Sequence, residues 1–121
     1  MEDKKTLVIG ASEKASRYSN MAVHLLNDNS HSVYAYGLRK GVISDLEIKT
    51  DWPENEKFNT VTMYISPRNQ VAYYDRIVAL KPKRVIFNPG TENPELIAIL
   101  LDNNIEVVEN CTLVMINSGI F

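Results

Sequence analysis

The sequence predicts an α/β fold in which a doubly wound parallel sheet of about five strands lies between two layers of helices. Short apolar runs alternate with amphipathic stretches at helical spacing along most of the chain, as expected for successive β-α-β units. Turn-forming residues follow several of these runs, among them Gly10, Gly37 and Gly90. Because crossovers between parallel strands are right-handed, helices are expected on both faces of the sheet, giving three layers (α/β/α).

Length, composition and charge indicate one small globular domain that spans residues 1–121. A chain of 121 residues with 45% hydrophobic content can form one core and is too short for two ordinary domains. Its formal net charge of -2 gives no general reason to bind nucleic acid or a membrane surface. No apolar run approaches the roughly 20 residues of a membrane span. We therefore expect neither a nucleic-acid nor a membrane partner.

The cysteine content and the first residues predict a cytoplasmic protein. Cys111 is the single cysteine, which excludes an internal disulfide and agrees with a reducing compartment. The stretch Met1-Glu2-Asp3-Lys4-Lys5 is charged and leads directly into an apolar run. A signal peptide is therefore not expected.

Apolar patterns and turn residues predict each element. The predicted strands are 6–9, 32–36, 60–65, 84–87 and 105–109. The predicted helices are about 16–28, 67–81 with Val71 on its apolar face, 94–102, and a short one after Cys111. Ser66 and Asn93 each precede a proline and are predicted to cap the helices that follow. Residues 42–58 are predicted as a loop with one short strand around 46–48.

The fold class indicates where a ligand would bind. In a doubly wound sheet, ligands bind at the carboxyl ends of the strands, beside the point where the strand order reverses. Four segments directly follow predicted strands and should meet at this edge. They are Gly10-Ala11-Ser12, Gly37-Leu38-Arg39-Lys40, Ile65-Ser66-Pro67 and Asn88-Pro89-Gly90.

The first of these segments predicts an anion site. Small residues such as Gly10 and Ala11 let the backbone approach a ligand, and amides at a helix N-terminus attract an anion. Arg17 can add a charge-assisted bond to a phosphate oxygen, and Ser12 and Ser16 can add hydroxyl donors. The alternative is that Gly10 makes only a tight turn, Ser16 caps a helix and Arg17 is solvated. Short glycine motifs match by chance, so both interpretations stay open at this point.

The second segment favours a phosphorylated ribose. An NAD-binding fold places Asp or Glu after its second strand, where the carboxylate accepts hydrogen bonds from the ribose 2′-hydroxyl. This chain has Gly37, Arg39 and Lys40 there instead. Two cations suit either the 2′-phosphate of NADP or the 3′-phosphate of coenzyme A. A solvated basic loop is the alternative.

The other two segments are predicted to complete the site. Ile65-Ser66-Pro67 could form a wall against a flat adenine or an extended chain, besides ending a strand and starting a helix. Asn88-Pro89-Gly90 is polar and rigid and could meet the far end of a ligand, or could simply connect a strand to the helix capped by Asn93.

No set of residues with the pattern of a catalytic or metal centre is found in the sequence. His24 and His31 are placed near the amino side of the second strand and are predicted to be surface residues. Cys111 has no histidine beside it and is predicted to be a small buried hydrophobe. Glu92 and Glu109 are isolated carboxylates, and metal ligands at a recognisable spacing are absent. The sequence therefore supports binding and gives no support for catalysis.

These motifs resemble those of the small single-domain CoA-binding proteins, whose Rossmann-like fold matches the nucleotide-binding part of the succinyl-CoA synthetase alpha subunit. The resemblance covers nearly the whole chain. It rests on Gly10-Ala11-Ser12 followed by Ser16-Arg17-Tyr18-Ser19, on Ile65-Ser66-Pro67, on residues 87–93 (FNPGTEN) and on residues 105–111 (IEVVENC). It implies a domain that binds coenzyme A, with Gly10, Ala11, Ser12 and Arg17 at the phosphates and Arg39 or Lys40 near the ribose phosphate.

The chain departs from the family pattern in several places. Leu38 and Arg39 stand nearest to the usual Pro and Lys after the second strand, and the loop that follows is shortened. Thr62 stands where Asp is usual, and Phe87-Asn88 replaces Trp-Gln. Arg in place of Lys keeps the positive charge.

Three functions remain compatible with the sequence. The first is non-catalytic binding of coenzyme A or an acyl-CoA, a small-molecule nucleotide ligand. The second is an NADP-binding oxidoreductase or sensor domain, although the later glycines of the dinucleotide fingerprint are missing. The third is a subunit of an acyl-CoA ligase whose chemistry is supplied by a larger ATP-grasp partner. Tyr73 and Tyr74 leave room for a homodimer face.

Overall fold

The computed structural model describes residues 2–121, which form one seven-stranded sheet with helices on both faces. The strands are β1 (Thr6–Ile9), β2 (Val33–Tyr36), β3 (Gly41–Ile43), β4 (Leu46–Lys49), β5 (Thr60–Met63), β6 (Arg84–Phe87) and β7 (Glu106–Glu109). The helices are α1 (Tyr18–Asp28), α2 (Pro67–Gln70), α3 (Tyr74–Leu80), α4 (Pro94–Asp102) and α5 (Thr112–Asn117), with a 3₁₀ turn at Val71–Tyr73 between α2 and α3.

The strand order is β3-β4-β2-β1-β5-β6-β7, so the chain reverses its direction of travel across the sheet at β1. Every pairing is parallel except that of β3 with β4. In the central register, Ile9 lies opposite Tyr36 on one side and Met63 on the other. The switch point therefore lies where β1, β2 and β5 end, and the turn after β1 stands directly above it.

The two faces of the sheet have separate cores, which makes the fold the predicted three-layer, Rossmann-like arrangement. On one face, α1 packs beside α5 and over alternate strand residues such as Val8 and Ala35. On the other, residues of α3 and α4, including Ile77 and Leu100, cover Leu7 and its neighbours. Apolar residues occupy consecutive strand positions because both faces are buried.

The sheet has seven strands where about five were predicted, because residues 42–58 contain a hairpin. The two-residue turn Ser44-Asp45 joins β3 to β4, and Ser44 takes a left-handed φ of 55°. The predicted short strand near 46–48 is confirmed as β4, and β3 pairs with it. Such a turn usually carries Asn-Gly or a similar pair, so the pair Ser-Asp did not indicate a hairpin here.

Several predicted boundaries also differ. The helix predicted from residue 16 begins at Tyr18, and the helix predicted over 67–81 is interrupted by the 3₁₀ turn. Val71, which we expected on the apolar face, is 57% exposed. A 3₁₀ turn has three residues per turn and so shifts the apolar stripe out of phase.

The prediction that both histidines are surface residues is confirmed for His24 and is wrong for His31. His24 is exposed, but His31 is buried, where its Nδ1 accepts a hydrogen bond from the backbone N–H of Lys4 at 3.0 Å. Lys4 precedes β1, so His31 does lie at the amino edge of the sheet. Within residues 2–121, no helix is long and apolar enough to cross a membrane.

Candidate functional site

The predicted site segments meet at the carboxyl edge of the sheet, and Gly10 allows two of them to touch. Gly10 has a φ of +101°, which favours glycine, and a Cβ built on it would lie 2.9 Å from the Ile65 Cγ2 and 3.2 Å from the carbonyl carbon of Tyr64. A side chain at position 10 would therefore push the turn after β1 away from the segment after β5.

The turn after β1 is also joined to the end of β2. The backbone amides of Gly10 and Ala11 both donate to the carbonyl oxygen of Tyr36, each at 2.9 Å. A Cβ on Gly37 would lie 2.5 Å from the carbonyl oxygen of Ala11. The amides of Gly10 and Ala11 are thus already used, and an anion at this turn must bind to groups further along it.

Those groups are at the N-terminus of α1. Arg17 occupies the N-cap position and its side chain makes no capping bond; Ser16 does not cap the helix either. The first amides of a helix lack intrahelical acceptors, so those of Tyr18, Ser19 and Asn20 point out of the N-terminus. The Asn20 amide side chain donates to the carbonyl oxygen of Ser12 at 2.9 Å and fixes the turn relative to the helix.

Three cations lie in the turn after β1 and in the loop after β2, which contact each other at Ala11 and Gly37. Arg17, Arg39 and Lys40 are all exposed. Between residues 2 and 121, none of the three side chains forms an ion pair or a hydrogen bond. We call the carboxyl edge of the sheet, with the segments that follow its strands, the rim. The segments 10–17 and 37–42 are its open half. Within residues 2–121 this half has a helix N-terminus without a side-chain cap and positive charges without ion pairs, the combination that favours anions in other proteins.

A cleft of about 510 Å³ adjoins the open half beyond β2. Its lining joins Lys40 to the start of β3 and the end of β4 and carries charges of both signs. The lining residues are Lys40, Gly41, Val42, Glu47, Ile48, Lys49, Thr50 and Asp51. A larger cleft of about 710 Å³ lies around Lys5 and Lys83, which flank the amino ends of β1 and β6. Only the first touches a predicted site residue.

An aromatic cluster supports the end of β2. The rings of Trp52 and Tyr73 are stacked at 5.4 Å, and Tyr36 meets both edge-on. The hydroxyls of Tyr36 and Tyr73 are hydrogen bonded at 3.1 Å. Burial, and secondarily this bond, raises the pKa of Tyr36 to about 12, so the hydroxyl stays protonated at neutral pH. Trp52 was not among the predicted site residues.

The segments after β5 and β6 form a closed half of the rim, residues 65–70 and 88–93. The buried Asn88 side chain donates to the Thr62 hydroxyl at 2.7 Å and to the carbonyl oxygen of Met63 at 2.8 Å. Its Oδ1 accepts from the backbone N–H of Thr112 at 2.8 Å. Asn88 was predicted to meet a ligand, but these bonds use its side chain within the fold.

Gln70 joins the two segments of the closed half and was missed in the sequence. Its Nε2 donates to the carbonyl oxygens of Ile65 at 2.9 Å and Thr91 at 2.8 Å, and its Oε1 accepts from Asn93. Gln70 is fully buried. It follows two exposed polar residues, Arg68 and Asn69, so no local pattern indicates its burial. Ser66 lies at the N-cap of α2, but its hydroxyl caps no backbone amide.

Asn93 and the tyrosines of α3 complete this network. As predicted, Asn93 caps α4: its side chain accepts from the Leu96 N–H at 3.2 Å. Its Nδ2 donates to the Tyr74 hydroxyl at 2.9 Å. Tyr73 and Tyr74, considered for a homodimer face, are half-buried and use their hydroxyls within the chain. Pro89 and Gly90 remain exposed at the rim.

Tyr64 and Cys111 lie near each other behind the rim. The Tyr64 hydroxyl is buried and makes no well-formed hydrogen bond within residues 2–121, although the Thr62 and Thr112 hydroxyls are close. Burial raises the pKa of Tyr64 to about 12. Cys111 was expected to be buried but is partly exposed, since it stands at the N-cap of α5 rather than inside the core.

Comparison with known proteins agrees with the sequence resemblance. Residues 4–117 match the family described as a CoA binding domain. A crystal structure of an uncharacterized protein is 46% identical, with a TM-score of 0.96 and 100% of both chains covered. A hypothetical protein from Pyrococcus horikoshii OT3 and a protein from Thermus thermophilus share the fold. Each is 20% identical to this chain, and each comparison covers 98% of this chain. The first has a TM-score of 0.85 and is covered over 84% of its length; the second has a TM-score of 0.82 and is covered over 91%. A comparison with curated protein sequences gave no match.

Proposed function

The chain belongs to the family of CoA binding domains, and we propose that it binds coenzyme A or an acyl-CoA without catalysing a reaction on it. One observation carries the proposal beyond the family match. The contacts of Gly10, Ala11 and Gly37 with their neighbours join the turn that leads into α1 to a basic loop at the switch point of the sheet. Within residues 2–121 the helix N-terminus has no side-chain cap and the loop has no ion pair.

The diphosphate is assigned to the N-terminus of α1. The free amides of the first helical turn and the Arg17 guanidinium provide donors of the right charge. The Ser12 hydroxyl already accepts from the Lys14 N–H at 3.2 Å, but it can still donate its own proton. Gly10 and Ala11 take part by allowing the close approach of the segments rather than through their amides.

The adenosine and its 3′-phosphate are assigned to the loop after β2. Arg39 and Lys40 would pair with the phosphate, and the cleft beside Lys40 would accommodate the nucleoside. Lys49, on the same cleft, adds a further positive charge. Glu47 and Asp51 line it too, so the phosphate should lie at the Lys40 end.

The pantetheine arm would extend from the diphosphate over the ends of β5 and β6. Adjacent strands lie about 4.8 Å apart, and the segments Ile65-Ser66-Pro67 and Asn88-Pro89-Gly90 follow in that order along the edge. The side chains of Gln70 and Asn88 hold these segments in place before any ligand arrives, which lowers the entropy cost of binding.

Titration calorimetry with CoA, dephospho-CoA and NADP tests the proposal. We expect CoA to bind about tenfold more tightly than dephospho-CoA, because a charge-assisted hydrogen bond contributes roughly 1.5 kcal/mol. Absence of CoA binding at millimolar concentration would overturn the proposal. Equal affinity for dephospho-CoA would remove Arg39 and Lys40 from the site.

The same titration addresses the alternative ligand NADP. The basic loop suits a 2′-phosphate as well as a 3′-phosphate, which is the observation that favours NADP. The turn after β1 has Gly10 as its only glycine, whereas a dinucleotide fingerprint has three. A clear preference for NADP over CoA would show that the chain is an NADP-binding domain rather than a CoA-binding one.

A further inference from the structure

Glu13 connects the two segments of the open half. Its Oε2 accepts a hydrogen bond from the backbone N–H of Val42 at 3.0 Å. The same side chain lies directly over Gly41, where an added Cβ would be 2.3 Å from the Glu13 Cγ and 2.4 Å from its Cδ. A residue of the turn after β1 therefore covers the beginning of β3, an edge strand of the sheet.

The basic loop is consequently held at both ends by one turn. Gly37 packs against the carbonyl oxygen of Ala11, and Gly41-Val42 packs against Glu13. The anchors at Gly37 and Gly41 are four residue steps apart, and four steps span at most about 14 Å. Arg39 and Lys40 cannot move far from the N-terminus of α1 while both anchors persist.

The charge of Glu13 works against the effect of its contacts. The carboxylate is exposed and has no cationic partner within residues 2–121. It repels any phosphate bound at the open half, although solvent and salt weaken this repulsion. Its hydrogen bond and packing, in contrast, bring two cations towards that phosphate.

We propose that Glu13 is a positioning residue that holds Arg39 and Lys40 beside the anion site and that also limits, through its charge, how tightly the anion binds. The effect on the ligand rests on the proposed CoA binding. The connection between the two segments does not, because it exists without a ligand.

Two substitutions separate the contact from the charge. Glu13→Gln keeps an oxygen that can accept from Val42 but removes the charge, so CoA should bind about two- to threefold more tightly at low salt. Gly41→Ala keeps the charge but displaces the Glu13 side chain, so CoA should bind several-fold more weakly. Glu13→Ala, which removes both, should bind more weakly than Glu13→Gln. Glu54→Gln, at an exposed position in another loop, is the control for loss of one negative charge.

Hydrogen exchange of the Val42 amide measures the contact itself. The amide should exchange slowly in the wild type and in Glu13→Gln, and faster in Glu13→Ala and Gly41→Ala. Urea unfolding should show unchanged midpoints in all four variants. Unchanged Val42 exchange in Glu13→Ala would overturn the inference, as would wild-type CoA affinity in Gly41→Ala. If the wild type bound no CoA, the proposed function would fail, and Val42 exchange would still decide whether Glu13 connects the segments.

Discussion

The two halves of the carboxyl rim use their polar groups in opposite ways. In the closed half, buried amide side chains form hydrogen bonds to neighbouring segments and stabilise the fold. They belong to Gln70, Asn88 and Asn93. The open half keeps Arg17 and the basic loop exposed. The closed half therefore gives rigidity, and the open half is where we propose that an anion binds. Removing the buried amide side chains of the first should change stability, and removing the exposed charges of the second should change affinity.

The largest expected effect is in the closed half. Asn88→Ala leaves the buried Thr112 N–H and the Met63 carbonyl oxygen without their partner. Each unsatisfied buried group costs about 1–3 kcal/mol, so the free energy of unfolding should fall by roughly 3 kcal/mol. Urea denaturation measures this change. Asn55→Ala, at an exposed position, should be nearly neutral, and a similar small loss for Asn88→Ala would show that the network adds no rigidity.

The next effect is at the joint where the turn after β1 meets the end of β2. Gly37→Ala places a Cβ 2.5 Å from the carbonyl oxygen of Ala11, and backbone atoms cannot rotate away as a side chain can. We expect a loss of about 2 kcal/mol in stability together with weaker CoA binding, because the turn must shift.

Gly90→Ala is the matched control for this glycine. Gly90 has a φ of +91° but no atom within 4 Å of an added Cβ, so only backbone strain of about 1 kcal/mol is expected. Equal losses for the two alanines, measured by the same denaturation, would argue that steric contact at Gly37 is unimportant.

In the open half, Arg17→Ala should change affinity without changing the fold. The side chain is exposed and unpaired within residues 2–121, so stability should stay within about 0.5 kcal/mol of the wild type. CoA binding should weaken by about tenfold through the loss of one charge-assisted bond. Calorimetry of Arg17→Ala beside Lys57→Ala, which removes an exposed cation near the amino edge of the sheet, measures this. A stability loss of several kcal/mol would show that Arg17 stabilises the fold and that the anion does not bind where we propose.

The same contrast explains what could be predicted from the sequence. The segments of the open half could be proposed from the sequence because each directly follows a predicted strand. The bond between Glu13 and Val42 that joins them spans 29 positions and was not predicted. The closed half depends on contacts across the fold. Gln70 bonds to Thr91, which is 21 positions away, and no local pattern indicates that bond.

Contacts between distant residues also determine which groups of the turn after β1 are free to meet a ligand. Gly10 and Ala11 have the composition of an anion-binding loop, yet their amides bond to Tyr36, the last residue of β2. That bond follows from the parallel register of β1 with β2, in which Ile9 lies opposite Tyr36. The sequence predicts that the backbone at Gly10 approaches a ligand, and the contact that the structure shows there is with the segment after β5.

The smallest expected effect concerns His31, at the amino edge of the sheet. It tests whether a change at that edge alters ligand binding at the rim. Burial lowers the pKa of His31 from its ordinary value of 6.5, despite the opposing charge of Asp3. Well above pH 6.5 the imidazole is neutral in both the folded and unfolded states. Below it, the unfolded chain takes up a proton that folded His31 resists, because its Nδ1 accepts from the Lys4 N–H. The free energy of unfolding should therefore decrease as pH falls from 6.5 to the lower folded pKa.

Urea denaturation between pH 7.5 and 5.5 should show this decrease in the wild type and in His24→Gln, and a smaller one in His31→Gln. CoA affinity at pH 7.5 should be the same in all three proteins, because His31 bonds at the amino edge whereas the open half lies at the carboxyl edge. Altered affinity in His31→Gln would mean that the two edges are coupled through β1, and the division of the rim into a rigid half and an attracting half would then be incomplete.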